Sequence, residues 1–201
     1  MTNEHAANYK LLIGGVLPRP IAFITTVGDQ GVVNAAPFSF FNVVSTNPPM
    51  ISVAVMRKPG GDQKDTARNI IASKEFVINV VDEKNVAKVN ETSCDYPPEI
   101  SEVKEAGLTT SPSHAIGVPR IAEARLHYEC RLHQHLELGN GPNSDLIIGE
   151  IVHIHVDDSL YQKGRIDTQK LAPIGRLAGL DYVKLGEIFS MPRPAYQAKK
   201  E

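Results

Sequence analysis

Tryptophan is absent from this sequence of 201 residues, and cysteine occurs only twice, at Cys94 and Cys130. Two cysteines so far apart give neither a disulfide framework nor the spacing of a zinc site, so we expect reduced thiols. No apolar run approaches the roughly 20 residues that cross a bilayer, and the polar start MTNEHAANYK lacks the apolar core of a secretion signal. We therefore expect a cytoplasmic protein with no membrane partner.

The charge balance excludes another class of partner. The formal net charge is −2 and no long basic block occurs, so nothing attracts the phosphate backbone of a nucleic acid. Apolar residues make up 42% and charged residues 22% of the chain, as in an ordinary globular protein. At this length we expect one domain over residues 1–201, with no nucleic-acid partner.

Motifs for nucleophilic, metal-dependent and nucleotide-hydrolysing enzymes are missing as well. The sequence contains no G-x-S-x-G, C-x-x-C, H-E-x-x-H or P-loop motif. The double glycines at 14–15 and 60–61 do not complete a dinucleotide fingerprint, so a Rossmann fold has little support. No catalytic side chain can be assigned from the sequence.

What the sequence does contain is mainly β periodicity. The segments 20–28, 50–56 and 75–83 are short apolar or β-branched runs bounded by turn residues. Residues 122–138 alternate between apolar and polar side chains, and after the turn GNGPNSD the segment LIIGEIVHIHVDD returns. A hairpin of this length suits a barrel. The pattern predicts a mainly β fold, a β-barrel with flanking short helices.

Two His-x-His pairs, HQH and HIH, raise the question of a metal site, because residues two apart on a strand share one face. If Leu138 pairs with Leu146 across the turn, His153 lies opposite Arg131. A cation there would be repelled, and the other opposing residues are polar or charged partners. This register predicts no metal site.

The stretch MRKPGGDQKDTARNI joins a strand end, a basic turn and a helix start. A helix N-terminus offers unpaired N–H groups to a phosphate, and Arg57, Lys58 and Lys64 add cations just before it. Asp65 is a candidate N-cap that would compete for the same donors, whereas the Thr66 hydroxyl can donate. The residues alone leave two readings open, a phosphate cradle or a plain basic turn.

A second candidate is NAAPFSFFNVVS, residues 34–45. Pro37 cannot donate to a sheet, so a central strand would break or bulge there. One interpretation is a core strand with a bulge. The other is a backbone that leaves the sheet to bind the edge of a flat heterocycle, which together with a phosphate cradle would suit a mononucleotide such as FMN.

Four blocks in order, PRPIAFITT, NAAPFSFFN, KDTARNI and RLAGLDYVKLGEIFSMPRP, resemble the flavin reductase-like flavoproteins with an FMN-binding split barrel. The resemblance runs from about residue 9 to 194. It implies a six-stranded Greek-key barrel and a homodimer that holds FMN near the subunit interface. It also implies an oxidoreductase that passes hydride or electrons through FMN, with NADH or NADPH as candidate reductants. The alternative is a flavin carrier or flavoredoxin-like module with a redox partner protein.

The resemblance also implies a set of cofactor-binding residues. Those expected to contact the flavin ring or the phosphate and ribityl chain, with auxiliary cations, are Ser39, Phe40, Phe41, Asn42, Val43, Arg57, Lys58, Lys64, Asp65, Thr66, Arg19, Pro20 and Arg176. The sequence departs from the family's short flavin reductases at Asp145, which is followed by Leu146 where those enzymes carry histidine near the nicotinamide. This departure argues against fast NAD(P)H-driven reduction of free flavin.

Overall fold

The computed structural model describes residues 3–141 and 143–196, so residues 1, 2, 142 and 197–201 of the predicted domain lie outside the described part. Within that part, no helix combines the length and the apolar character needed to cross a bilayer. In chain order the elements are α1 (Asn3–Gly15), β1 (Arg19–Pro20), β2 (Ala22–Val27), β3 (Val33–Phe38), β4 (Phe41–Thr46), β5 (Pro49–Met56), α2 (Asp65–Ser73), β6 (Glu75–Val80), α3 (Val86–Glu91), α4 (Glu102–Glu105), β7 (Thr110–Ser111), β8 (Arg120–Ile121), β9 (Leu126–Leu138), β10 (Ser144–Val156), β11 (Tyr161–Gln162), β12 (Arg165–Ile166), α5 (Thr168–Leu171), β13 (Gly175–Arg176) and β14 (Tyr182–Val183). The predicted mainly β fold with short flanking helices is confirmed.

One antiparallel sheet of seven strands, in the order β3-β2-β6-β9-β10-β5-β4, forms the barrel. Its two edge strands, β3 and β4, are consecutive in the chain and separated only by Ser39 and Phe40. The Ala54 N–H donates to the Phe40 carbonyl at 2.8 Å across this break. Counted as one broken strand, β3 and β4 give the six strands expected. The connection from β5 to β6 contains α2 and crosses the barrel, because those strands are not neighbours.

Pro37 does not interrupt its strand, contrary to the prediction of a break or bulge at this residue. It lies within β3 opposite Phe23, and pairing continues to Phe38. The break follows at Ser39 and Phe40. Proline is tolerated because β3 is an edge strand of the sheet, where a missing N–H donor costs no ladder bond.

The long predicted hairpin is present as β9 and β10, but its first strand begins at Leu126 rather than at residue 122. The register also differs from the prediction, since Leu138 pairs with Ser144 and not with Leu146. Gly139 and Gly141 adopt positive φ angles of 104° and 74°, which permit a tighter turn than the apolar alternation indicated.

The shifted register changes the partners of the second histidine pair. Two register irregularities, at Ile148/Gly149 and Ile151/His153, lie along the hairpin. As a result His153 lies opposite Glu129, where Arg131 was predicted, and His155 lies opposite His127. Apolar alternation does not reveal bulges, so it could not predict these pairs. The argument against a metal at this histidine pair therefore loses its basis.

The barrel interior is an apolar cluster to which five strands and α2 contribute. Its fully buried or almost fully buried residues are Ala22, Ile24, Ile51, Val53, Val55, Ala67, Ile70, Phe76, Ile78, Cys130 and Ile147. Ile51, Val53 and Val55 show why β5 belongs here, because alternate residues of a strand face the same side. Ala67 and Ile70 bring one face of α2 against this interior.

The segment from residue 84 to residue 120 packs outside the sheet as a second layer. Helix α3 lies in NVAKVNETS, and the proline-rich stretch that follows it contains α4 and β7. Val103 and Leu108 of this stretch pack with Phe23 and Ala35 in a second apolar cluster. Its own apolar residues therefore hold this long connection on the barrel.

Candidate functional site

Two adjoining cavities lie beside the edge strand β3. The wide cavity, of about 450 Å³, is bordered by α1, the β3–β4 break, α3 and the segment after β13. The narrow cavity, of about 90 Å³, lies between β3, the start of α2 and residues 92–96. Pro37, Phe38 and Ser93 border both cavities. Because they share these three residues the two cavities adjoin, and we name the pair the groove.

The narrow cavity is lined by the turn and helix start that the sequence singled out, through Lys58, Lys64, Asp65 and Thr66. The turn is closed by the Lys58 N–H, which donates to the Asp62 carbonyl at 2.9 Å. Helix α2 begins at Asp65, and its cap residue Lys64 makes no side-chain hydrogen bond to it. The N–H groups of a first helical turn have no acceptor inside the helix, so donors and two lysines converge on this cavity.

Asp65 is not the N-cap of α2, contrary to the sequence-based prediction. It is the first helical residue, and the residue before it occupies the cap position. Its carboxylate hydrogen-bonds the Arg68 guanidinium and lies 3.9 Å from the Lys58 ammonium. The helix-start amides thus remain available to an anion, because the competing carboxylate is held by cations.

Thr66 is buried, and its hydroxyl is engaged inside the protein. It donates to Asn34 Oδ1 at 3.0 Å, and Asn34 Nδ2 donates to Glu102 Oε1 at 2.6 Å. The Ala35 N–H donates to the other Glu102 oxygen at 3.0 Å. This chain of hydrogen bonds ties α2 to β3 and α4. Thr66 can therefore offer its backbone N–H to a ligand. Its hydroxyl, which the sequence offered as a donor to the ligand, donates to Asn34 instead.

Glu102 is a buried carboxyl group that the sequence did not mark as part of the site. Desolvation raises its pKa, even though hydrogen bonds from Asn34 and from the Glu102 and Ala35 backbone N–H groups oppose the rise. Glu102 borders the narrow cavity.

Arg57 is not among the residues that border the narrow cavity, and its predicted role as an auxiliary cation stays a prediction. Its Nε and Nη2 donate to Asp145 at 2.9 and 2.8 Å, and Nη2 also contacts Glu137 at 2.5 Å. Gln63 and His135 donate to the same buried Asp145, at 3.0 and 2.8 Å. Burial alone would raise the Asp145 pKa, but hydrogen bonds from these three side chains lower it. The network instead anchors the turn that carries Lys58.

Arg19 borders the wide cavity, and its guanidinium also hydrogen-bonds three separate segments of the chain. It is 5% exposed, and its Nε donates to Ser39 Oγ at 3.2 Å. Its other nitrogens donate to the carbonyls of Ile13 at 2.7 Å and Leu177 at 2.8 Å. The guanidinium also lies 5.9 Å from the Phe40 ring centroid. Arg19 thus contacts the side chains of both residues at the β3–β4 break.

Arg176 also borders the wide cavity, and on β13 it pairs directly with Arg19 of β1. Its guanidinium stacks over the Tyr182 ring at 4.5 Å and donates to the Gly179 carbonyl. Tyr182 in turn donates to Asn90 Oδ1 at 2.9 Å. The wide cavity therefore has aromatic and cationic groups with defined orientations.

The structure separates the predicted ring-binding segment into two parts. Ser39 and Phe40 border the wide cavity. Phe41, Asn42 and Val43 border a different, apolar cavity of about 700 Å³. Pro20 also borders this apolar cavity, together with Ile51, Tyr128, Leu185 and other residues. The kink between β3 and β4 turns the chain from one cavity to the other.

Several groove residues were not found from the sequence. In the narrow cavity they are Asn34, Thr92, Ser93, Tyr96 and Glu102, and in the wide cavity they are Tyr9, Asn90 and Tyr182. Asn34 begins the quoted segment 34–45, so its position was a usable signal. The others come from distant parts of the chain that only tertiary packing brings to β3.

Comparison with known proteins identifies the family. The sequence profile of the family described as flavin reductase like domain matches residues 14–170. The crystal structure of nitrilotriacetate monooxygenase component B from Bacillus cereus is similar, with 48% identity, a TM-score of 0.91 and coverage of 95% of each chain. The 2-nitrobenzoate 2-nitroreductase of Pseudomonas fluorescens has 33% identity and a TM-score of 0.87, and covers 99% of this chain and 95% of its own.

A third structure, from Shewanella frigidimarina, is described as having a split barrel domain. It has 28% identity and a TM-score of 0.80, and the match covers 96% of this chain and 94% of its own. The strand order, with both sheet edges meeting at the β3–β4 break, agrees with that description. The predicted split barrel is thus confirmed, and the chain belongs to the flavin reductase-like domain family.

Proposed function

We propose that this flavin-related oxidoreductase binds FMN in the groove and passes hydride or electrons through it. The observation that carries the proposal is the narrow cavity, where Lys58, Lys64 and the open first turn of α2 meet. Such a helix start with adjacent cations is a favourable site for a phosphate dianion. The wide cavity of about 450 Å³ adjoins it and falls in the size range of ligand pockets.

The residues present fit FMN in two respects. The phosphate would lie at Lys58, Lys64 and the Thr66 N–H, with Glu102 and Asn34 fixing the helix behind them. The ring would lie in the wide cavity beside Ser39 and Phe40, whose side chains Arg19 contacts. FMN, when bound, supplies the hydride or electron chemistry, and the protein contributes orientation and electrostatics. No side-chain acid or base is required of this chain.

The comparisons support an enzyme, and they point to two kinds of reaction. A monooxygenase component B and a nitroreductase are among the similar structures, at 48% and 33% identity. In the first reading this chain reduces flavin with NADH or NADPH for a partner oxygenase. In the second it reduces a substrate directly on bound FMN. Leu146, in place of the histidine expected beside Asp145, favours the second over rapid release of reduced flavin.

Steady-state kinetics test the proposal. Purified chain is mixed with FMN and with NADH or NADPH, and nicotinamide absorbance is followed. We expect FMN-dependent oxidation of one nicotinamide cofactor. If neither is oxidised while a reduced electron-transfer protein bleaches the bound flavin, the chain is a flavoredoxin-like carrier and the enzyme proposal fails.

We also propose a homodimer, with FMN near the subunit interface. The apolar cavity that borders Phe41 and Val43 adjoins exposed apolar side chains, since Val43, Val44 and Leu185 are 61%, 52% and 43% exposed. A second copy that covers this surface would remove it from water. Light scattering after size exclusion should give twice the mass of one chain, and Val43→Lys should give the mass of one. A wild-type mass of one chain would contradict the dimer.

A further inference from the structure

The last described segment of the chain, residues 185–196, follows β14 and forms neither a helix nor a strand. No backbone hydrogen bond ties this segment to the rest of residues 3–141 and 143–196. Pro192 and Pro194 lack N–H groups and fix φ, and a residue that precedes proline favours extended backbone. The segment is therefore biased towards an extended shape before it binds anything. We name residues 185–196 the C-terminal arm.

The C-terminal arm carries large apolar side chains whose exposed fraction rises along the chain. Leu185 is 43% exposed and Ile188 is 55% exposed. Further on, Phe189, Met191 and Tyr196 are 76%, 81% and 92% exposed. The arm thus departs from the surface of its own chain. Single exposed apolar residues are normal on a protein surface, but these five in one short segment form a strip that indicates a binding partner.

The arm starts at the rim of the apolar cavity, because Leu185 and Gly186 are among the residues that border it. The ten residues from 187 to 196 reach about 33 Å when they are fully extended. A second copy that faces this cavity would therefore lie within reach of the arm. The exposed residues Val43 and Val44 of β4 adjoin the cavity and enlarge the apolar surface on which an arm could lie.

The lining of the apolar cavity matches an apolar strip better than a polar ligand. Its two charged lining residues are Arg19 and Lys184, and both are engaged within the chain. Arg19 donates to Ser39 Oγ and to backbone carbonyls, and Lys184 Nζ donates to Glu83 Oε2 at 2.6 Å. The other lining residues are mainly aliphatic and aromatic, so burying them against apolar side chains is favourable.

We propose that the C-terminal arm of each copy packs on the apolar cavity of a second copy, so that two chains exchange arms. This inference rests on the homodimer proposed above and names the segment that closes it. Each chain carries both an arm and a cavity, so reciprocal exchange across a twofold axis covers both surfaces. At about 200 Å² for a large side chain, the five exposed fractions leave roughly 700 Å² on each arm. Two arms thus supply enough area for a stable interface, which buries about 1,200–2,000 Å² in total.

The exchange would bring the arm of one copy close to the proposed flavin site of the other. Arg19, Ile21 and Val81 border both the apolar cavity and the wide cavity. These three residues therefore form a wall shared by the two cavities. An arm that packs on the apolar side of this wall would shield it from water, so a second copy would contribute to the surroundings of the ring.

Photo-cross-linking of the full-length protein tests the exchange. Phe189→p-benzoylphenylalanine puts a photoreactive aromatic side chain on the arm, and isotope-labelled and unlabelled copies of this variant are mixed by subunit exchange. After irradiation, we expect cross-linked peptides that join a labelled chain to an unlabelled chain. The acceptor peptides should come from β4, β5 or residues 171–175, which border the apolar cavity. The control is Tyr161→p-benzoylphenylalanine, at a 58% exposed residue outside the arm, which should not link different chains.

Sedimentation equilibrium measures how much the arm contributes to the dimer. Phe189→Ser should raise the dissociation constant of the dimer at least tenfold. Tyr161→Ser removes an exposed aromatic side chain from β11 and should leave the dissociation constant unchanged. Circular dichroism melts check that both variants fold.

Two results would overturn the exchange while leaving the homodimer in place. One is a set of cross-links confined to single chains, and the other is an unchanged dissociation constant in Phe189→Ser. A wild-type mass of one chain would overturn both the exchange and the homodimer. Neither measurement uses FMN, so the outcome is separate from that of the FMN titrations.

Discussion

Replacing Lys64 by alanine tests the phosphate cradle directly. Lys64 caps α2 and borders the narrow cavity, where it is partly exposed. A charge-assisted hydrogen bond contributes about 1.5–3 kcal/mol to a binding free energy. Partial exposure of Lys64 to solvent reduces the expected contribution to about 1–2 kcal/mol. The expected loss in FMN affinity is therefore roughly 5- to 30-fold.

The assay is a fluorescence titration of FMN and of riboflavin into wild type and variant. Riboflavin lacks the phosphate, so its affinity should not change in Lys64→Ala. Lys104→Ala is the matched control, because Lys104 is an exposed helical lysine that borders neither cavity of the groove. Unchanged FMN affinity in Lys64→Ala, or an equal loss for riboflavin, would refute the assigned role.

Three further predictions concern stability and reactivity. Gly149→Ala should lower the free energy of unfolding by about 1–3 kcal/mol, since its Cβ would lie 2.4 Å from Phe76 Cζ in the core. The folded-state pKa of Asp145 is lowered, so its stabilisation is complete above the ordinary value of about 3.9 and is lost as pH falls through the folded pKa. In Asp145→Asn, the free energy of unfolding measured with denaturant should therefore depend less on pH in this acidic range. Thiol labelling of the native chain should modify only exposed Cys94, because burial raises the pKa of the Cys130 thiol.

Each of these predictions has a clear contrary result. Gly14→Ala, where an added Cβ meets nothing within 4 Å, is the control for Gly149→Ala, and equal melting temperatures would contradict the packing argument. An unchanged acid dependence in Asp145→Asn would mean that the contacts from Arg57 do not depend on the aspartate charge. Two labelled thiols in the native chain would place Cys130 outside the core.

The sequence predicted the fold well where periodicity and turn chemistry act locally. Strands β2, β5 and β6 and the long hairpin follow from apolar runs, alternation and glycine turns, although β6 ends at Val80 and β9 begins only at Leu126. The helix start after the basic turn corresponds to α2. Resemblance across four blocks supplied the split barrel, which periodicity alone could not. The hairpin register was wrong because two irregularities and a tight glycine turn, invisible to alternation, set it.

The site was predicted only in part, for a related reason. Lys58, Lys64 and Thr66 are close in sequence and remain together at the narrow cavity. The ion pair of Arg57 could not be predicted, because its partner Asp145 lies 88 positions away in the sequence. Glu102 was missed for the same reason, since it reaches β3 only through packing of the outer layer.

Equilibrium binding of FMN to the purified wild-type chain, followed by flavin fluorescence and absorbance, tests the proposed phosphate site without any mutation. We expect saturable binding of one FMN per chain at micromolar concentration or below, with riboflavin binding more weakly. No saturable change with FMN, or equal affinity for riboflavin, would contradict the claim that the start of α2 and its lysines hold a flavin phosphate.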